Sequence, residues 1–317
     1  MINRELIRVK VVQMVYAHLQ NPERTLGSTQ SEFAISLNKT YDLYHYILTL
    51  LVEVRRMAER KEDARLAHAQ RLGLPFEGET ADALLANNPL LLQLESNKAL
   101  QHFCEHIKNA WNDEDVVVKK LYNAFVEHDI FKQYAAKAKR TYNDDNEVIR
   151  RLYKNVVCNS DIFDASIEEN GLYWNDDKVN IDPFVLKTLN LFTEDSTPEL
   201  ELLPDFADES DREFANKLLA QAILRGEEFQ TYIKQQTKGW DFERLALMDV
   251  VVIQTALAEI LTFNEIPVGV SINEYVEIAK AYNTPRSAGF INGMLDTIVK
   301  RLSEEGVLLK AIKRGKK

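Results

Sequence analysis

The chain has only two cysteines, Cys104 and Cys158, in 317 residues. That excludes a disulfide-stapled framework and fits reduced thiols in the cytoplasm. Eleven glycines and eight prolines are too few for a low-complexity chain or a turn-rich sandwich. A surplus of positive charge is also missing. The formal net charge of −10 excludes a general attraction for phosphate and leaves room only for a local basic patch. No apolar run approaches the roughly 20 residues a membrane span needs. The opening MINRELIRVKVVQMVYAHLQ is too broken by charge for a signal peptide. The expectation is a soluble, cytoplasmic protein with no membrane partner.

Signatures of catalysis are absent too. No Gly-rich phosphate loop, G-x-G-x-x-G, G-x-S-x-G or H-E-x-x-H occurs, so neither an enzyme nor a cofactor is expected. HFCEH at 102–106 looks superficially like a metal site. His102 and His106 share a helical face, but Cys104 stands about 200° round the helix and cannot join them. No metal is expected there. The acids at 143–147 and 175–177 read as turns and caps.

What the sequence does have is helical periodicity. Leu6, Val9, Val12, Val15, Tyr16 and Leu19 mark a first helix over 3–20, ending before Asn21-Pro22. A second runs from about Ser31 to Leu72, and Asn87-Asn88-Pro89 is a break. LLLQLESNKALQHFCEHIKNAW and EDVVVKKLYNAFVEHDIFKQYAAKAKR continue the pattern. Period-2 strands are missing, and the fold class is all-α. The stretch 193–213 holds nine acids, one base and two prolines, the best linker candidate. After it come REFANKLLAQAILRGEEFQTYIKQQTKGW and DFERLALMDVVVIQTALAEILTFNEIP. There is also an internal echo: 145–175 lies over 211–241 at an offset of 66. It puts Glu147 on Glu213, Leu152 on Leu218, Phe163 on Phe229, Ile167 on Ile233 and Trp174 on Trp240.

SINEYVEIAKAYNTPRSAGFINGMLD, 271–296, carries the firmest local signals. Ser271 and Glu274 form the S-x-x-E of a capping box, and Thr284-Pro285 suits an N-cap and first position of the last helix. Ile291, Met294, Leu295, Ile298 and Leu302 form its apolar stripe. Gly289 and Gly293 each cost roughly 1 kcal/mol relative to alanine inside a helix. Close packing against another helix would offset that, and so would a surface that another molecule approaches. On periodicity Phe290 reads as a core ring and Asn292 as a surface residue; the alternative is that both are contacts for a ligand.

IPVGVSINEYVEIAKAYNTPRSAGFINGMLD resembles the signature of the NusB transcription-antitermination family. There an INE-x-V-E-[IL]-AK helix and F-[IV]-NG-x-LD follow a proline in that order. RELIRVKVVQMVYAHLQ resembles the family's first helix, and the REFANKLL hairpin and DFERLALMDVVV its middle ones. The resemblance covers 1–20 and 206–302. It implies a NusB-type helical bundle with an additional helical domain inserted at 21–205 and a basic tail at 303–317; the internal echo suggests that part of the insertion (145–190) is a copy of the domain itself.

By the same resemblance, the chain pairs with a NusE-type ribosomal protein, grips single-stranded boxA-like RNA and joins the RNA polymerase antitermination complex. The RNA-binding positions it implies are Arg4, Arg8, Lys10, Tyr16, Arg286, Phe290 and Asn292, with Tyr16 and Phe290 sharing a groove between side-by-side first and last helices. Glu243 and Asp249 match partner-interface positions. The tail cations Lys310, Lys313, Arg314, Lys316 and Lys317 would add sequence-independent attraction. Two departures run against RNA grip: Glu5 stands where an arginine is common, and Gln254 replaces another. Relatives occur as monomers or dimers, which leaves a homodimer open. The rival reading is a helical protein–protein scaffold that has lost RNA. A module of an rRNA cytosine methyltransferase has no support, since a cofactor loop and a catalytic cysteine motif are both missing.

Overall fold

The computed structural model describes residues 1–75, 78–106, 111, 115–174, 176–237, 242–308 and 310. Among them are fifteen α-helices and no strand; the one strand-like contact is an isolated bridge between Ile2 and Phe206. The helices are α1 (Arg4–Gln20), α2 (Leu26–Leu72), α3 (Ala81–Ala86), α4 (Pro89–Ser96), α5 (Lys98–His106), α6 (Asp115–Glu127), α7 (Asp129–Ala135) and α8 (Tyr142–Leu152). A π-helical turn, Tyr153–Val157, extends α8. Then follow α9 (Asp161–Asn170), α10 (Lys178–Leu191), α11 (Glu209–Leu224), α12 (Gly226–Gln236), α13 (Leu247–Thr262), α14 (Val268–Tyr282) and α15 (Ser287–Glu304). Both VVV runs lie inside helices, α6 and α13.

The chain divides into two compact units, 39–205 with Met1, and 2–38 with 206–317. The first boundary falls inside α2, so residues 21–38 go with the chain ends. In this terminal unit α13 is the central post. The twelve residues from Asp249 to Ile260 are all buried, because LMDVVVIQTALAEILT is apolar on every side and needs neighbours all round. Those neighbours are α1, α11, α12, α14 and α15. The sequence pattern misplaced two helix starts. α14 begins at Val268 with Pro267 at its N-cap, three residues before Ser271. α15 begins at Ser287, whose backbone N–H donates to the Thr284 carbonyl at 2.9 Å in a preceding turn. At α14 the helix has already begun before the residues that resemble a cap, whereas at α15 the cap-like Thr284 and Pro285 form a turn ahead of the helix.

The 39–205 unit is held by many short helices with local caps. Thr80, Asn88, Ser160 and the Thr141–Asp144 capping box each satisfy backbone N–H groups at a helix start. Lys137 and the Thr141 groups hold the Asp144 carboxyl down at about 2. The acidic stretch after α10 is irregular but anchored. Gln93 Nε2 donates to the Thr193 carbonyl and Asn97 Nδ2 to that of Leu200, both at 2.8 Å. Asp208 then caps α11, which starts at Glu209. Gly171 is tightly enclosed: an added Cβ would stand 2.4 Å from the ring of Trp174. Trp174 is buried and donates to the Lys39 carbonyl at 2.7 Å. Gly171→Ala is expected to cost about 1–3 kcal/mol by overpacking, read as a fall in the urea midpoint; an unchanged midpoint would show that the indole shifts freely.

Candidate nucleic-acid interface

α1 delivers its cations unevenly. Arg8 is 5% exposed and lies inside the terminal unit. Its Nε and Nη2 donate to the two oxygens of Glu259 at 2.8 and 3.0 Å, and its Nη1 to Glu274 at 3.1 Å. Glu259, fully buried on α13, also accepts from Ser271 Oγ at 2.7 Å and Tyr275 OH at 3.1 Å. Burial acts against the Arg8 charge, but the hydrogen bonds and field of Glu259, backed by Tyr275 and Glu274, outweigh it and raise the guanidinium pKa. The same burial, with Glu259 beside it, pushes the Tyr275 phenol well above its ordinary value. Ser271 and Glu274, which resemble a capping box, therefore build this ionic core: at i, i+3 they share one face of α14 and close around Arg8.

Arg8 and Lys10 (2% exposed), both expected to face RNA, are thus corrected to interior positions. Neither has a free surface for phosphate. Arg4 is half-exposed, donates to Asp211 at 2.9 Å and lies 5.0 Å from the centre of the Phe214 ring. Tyr16 is partly exposed on the last turns of α1, its OH accepting from Gln20 Nε2 at 3.1 Å.

The start of α15 looks outward. Arg286 and Asn292 are exposed and Phe290 partly so, while Ile291, Leu295, Ile298, Val299 and Leu302 are buried. Phe290 is therefore a flank residue, not a core one. A Cβ built on Gly289 or Gly293 meets nothing within 4 Å, and both glycines are exposed. The close helix contact that would explain them is not there, which leaves an approach from outside. Gly289→Ala and Gly293→Ala are each expected to raise stability by up to about 1 kcal/mol, seen as a higher melting temperature. A loss would mean that the fold itself needs these glycines.

The two helices do not lie side by side as expected. α1 rests on α11, α13 and α14, and α15 on α12, α13 and α14. They share neighbours, and direct contact between them is marginal at most. Other expected positions fall elsewhere. Asp249 is buried and accepts from Asn283 Nδ2 at 2.5 Å, so it joins α13 to the end of α14 and presents no acidic edge. The side chain of Glu243 lies outside the described residues, as do residues 311–317 of the basic tail. Lys310 is engaged within the unit, donating to the carbonyls of Phe263 and Ile266 at 2.8 Å each. Burial lowers its pKa against the opposing fields of Glu259 and Glu265. Gln254, in the place of an arginine, is buried; it donates to the Ala222 carbonyl at 2.8 Å and accepts from Gln230 at 3.1 Å. In HFCEH the two histidine rings are exposed and 4.1 Å apart, and among the described residues no group of three or more acids, His or Cys could hold a metal.

The charge objection to RNA changes once the units are separated. Residues 39–205 hold 20 of the 39 basic and 30 of the 49 acidic side chains, leaving 19 of each in the terminal unit. The whole −10 lies in the 39–205 unit, and the unit bearing Tyr16 and Phe290 is formally neutral.

The sequence model described as the NusB family matches residues 186–300. Among curated proteins, the transcription antitermination protein NusB of Dictyoglomus turgidum is 37% identical over 127 residues, covering 39% of this chain and 84% of that protein. The chain belongs to the NusB family. The NusB proteins of Salinibacter ruber and Chloroherpeton thalassium are 39% and 35% identical over 103 and 105 residues. The matches cover 32% and 33% of this chain, and 64% and 50% of those two relatives' own length. No solved structure matches. The NusB match runs from the end of α10 into α15, so most of 39–205 lies outside it. Among the described residues no helix is long and apolar enough to cross a membrane.

Sequence reasoning missed the cluster of Glu259, Ser271 and Tyr275 as partners of Arg8. One signal was available: Glu259 is the lone charged residue in the second half of a mostly apolar helix, a position that demands a buried partner.

Proposed function

We propose that the protein is a non-enzymatic transcription antitermination factor that holds single-stranded, boxA-like RNA together with a NusE-type ribosomal protein, as part of an RNA polymerase antitermination complex. The observation that carries the reading is the α15 start: a partly exposed ring and an exposed amide between two glycines with open space around them. Single-stranded RNA is recognised by bases stacked on aromatic side chains and hydrogen-bonded at their edges. Phe290 and Tyr16 supply rings, Asn292 an amide, and Arg286 and Arg4 the cations. Absence of a glycine side chain lets a sugar–phosphate backbone approach the helix. The curated relatives' name, transcription antitermination protein, supports the same role.

With Arg8 and Lys10 drawn inside, few cations remain, so affinity for RNA alone is modest and the ribosomal partner supplies the rest. Glu243 stays the proposed contact for that partner. The test is filter binding of a boxA-like RNA by the full chain with and without the NusE-type protein, from 50 to 200 mM salt. Tighter binding with the partner is expected, with a log–log slope near −0.7 per phosphate contacted. The withdrawal of Arg8 and Lys10 favours one rival, a protein-binding scaffold. It predicts capture of the partner with no RNA retained under any condition.

A further inference from the structure

The 39–205 unit contains a groove of about 610 Å³ between the end of α8 with its π turn, α9 and α10. Ile167, Val179, Pro183 and Leu186 give it an apolar wall. Val179 is 80% exposed. At the base, Lys178 is buried and its Nζ donates to the Cys158 carbonyl at 2.9 Å and lies 3.0 Å from Asp164 and 3.5 Å from Asp182. The internal cation thus answers part of the acidic charge; Glu168 and the exposed part of Asp164 remain on the rim, which also carries one exposed cation, Lys154.

The terminal unit shows what such a helical hairpin accommodates. Adding 66 to α8 with its π turn (142–157) gives 208–223, and α11 is Glu209–Leu224; adding it to α9 gives 227–236, and α12 is Gly226–Gln236. Burial follows the same register: Val148 and Phe214, Leu152 and Leu218, Phe163 and Phe229, Ile167 and Ile233 are buried in pairs. The helix after the hairpin differs. α13 is covered on every side, with α14 and α15 among its neighbours. α10 has no helices of that kind after it; the chain passes into the anchored acidic stretch, and Val179, Pro183 and Leu191 stay exposed.

We infer that the α8–α9–α10 groove is a docking site for an amphipathic helix with a basic polar face, supplied by a protein partner. The helix after the hairpin, which in one unit is covered by α14 and α15, here keeps an exposed face for an outside helix. The surplus of ten acidic side chains in this unit selects a basic occupant and repels RNA. A helix lays apolar residues at i, i+3/i+4 and i+7 along such a wall, and its lysines or arginines meet Glu168 and Asp164.

The test uses the full chain and two labelled 18-residue amphipathic helical peptides with the same leucine stripe, one with lysine and one with glutamate on the polar face. Anisotropy titration at 150 mM salt is expected to show binding of the lysine peptide alone. Val179→Asp and Glu168→Lys should each weaken it tenfold or more with the melting temperature unchanged, and hydrogen exchange should slow at 154–159 and 178–187. Equal binding to wild type and both variants, or protection elsewhere, overturns the proposal. So does a concentration-dependent rise in mass that Val179→Asp abolishes, which would make the occupant a second copy of this chain.

Discussion

Glu259→Ala is expected to lower the unfolding free energy of the terminal unit by about 3–5 kcal/mol, the range seen when one partner of a buried ion pair is removed. Three groups lose their acceptor at once. The Arg8 guanidinium keeps only Glu274, and the Ser271 and Tyr275 hydroxyls are left without Glu259. Arg8→Ala should cost a similar amount, since it strands the Glu259 carboxylate at zero exposure. Combining the two should cost less than the sum, with a coupling of about 0.5–3 kcal/mol. Urea unfolding of the four proteins closes the cycle. Additive losses would mean that the pair does not interact in solution, and the placement of Arg8 inside the fold would be wrong. The pair also links α1 to α13 and α14, chain segments some 250 residues apart, so its loss should loosen the first helix and Tyr16 with it.

The second large effect concerns binding. Phe290→Ala is expected to reduce affinity for boxA-like RNA by about 1–3 kcal/mol, the worth of one base stacked on an aromatic ring. That corresponds to roughly 5- to 150-fold in Kd. Stability should change little by comparison, because Phe290 flanks the buried stripe of α15 instead of belonging to it. Phe290→Tyr should keep most of the affinity, as a phenol stacks like a phenyl ring. A loss in both variants, or in neither, would remove the stacking role.

The fold class was legible because the long segments carry helical apolar spacing, or in α13 an apolar run too long for a strand, and none alternates. The C-terminal signature also pointed to the right family, although α15 starts at Ser287, two residues after the Pro285 that the pattern marked as its first position. Its energetic meaning was harder to read. Ser271 and Glu274 have the spacing of a cap, and nothing local distinguishes a cap from two residues on one buried face; the deciding fact is Glu259, twelve residues before Ser271 in sequence. Arg8 is similar. One-dimensional spacing puts arginines and lysines on α1, but whether a guanidinium faces solvent depends on an acid that arrives some 250 residues later. Gly289 and Gly293 posed the reverse problem. Their cost was visible in sequence, and only the empty space around them favours an outside visitor over a packed helix. Net charge averages over two unlike units, since the acids and bases are equal in one and unequal in the other.

Ultraviolet crosslinking of a boxA-like RNA to the full chain with its NusE-type partner, mapped by mass spectrometry, puts the nucleic-acid surface to the most direct test. Crosslinks at Phe290 and Tyr16, weakened by Phe290→Ala and absent from residues 39–205, are the expected pattern. Crosslinks confined to 39–205, or RNA attached only to the ribosomal partner, would contradict it.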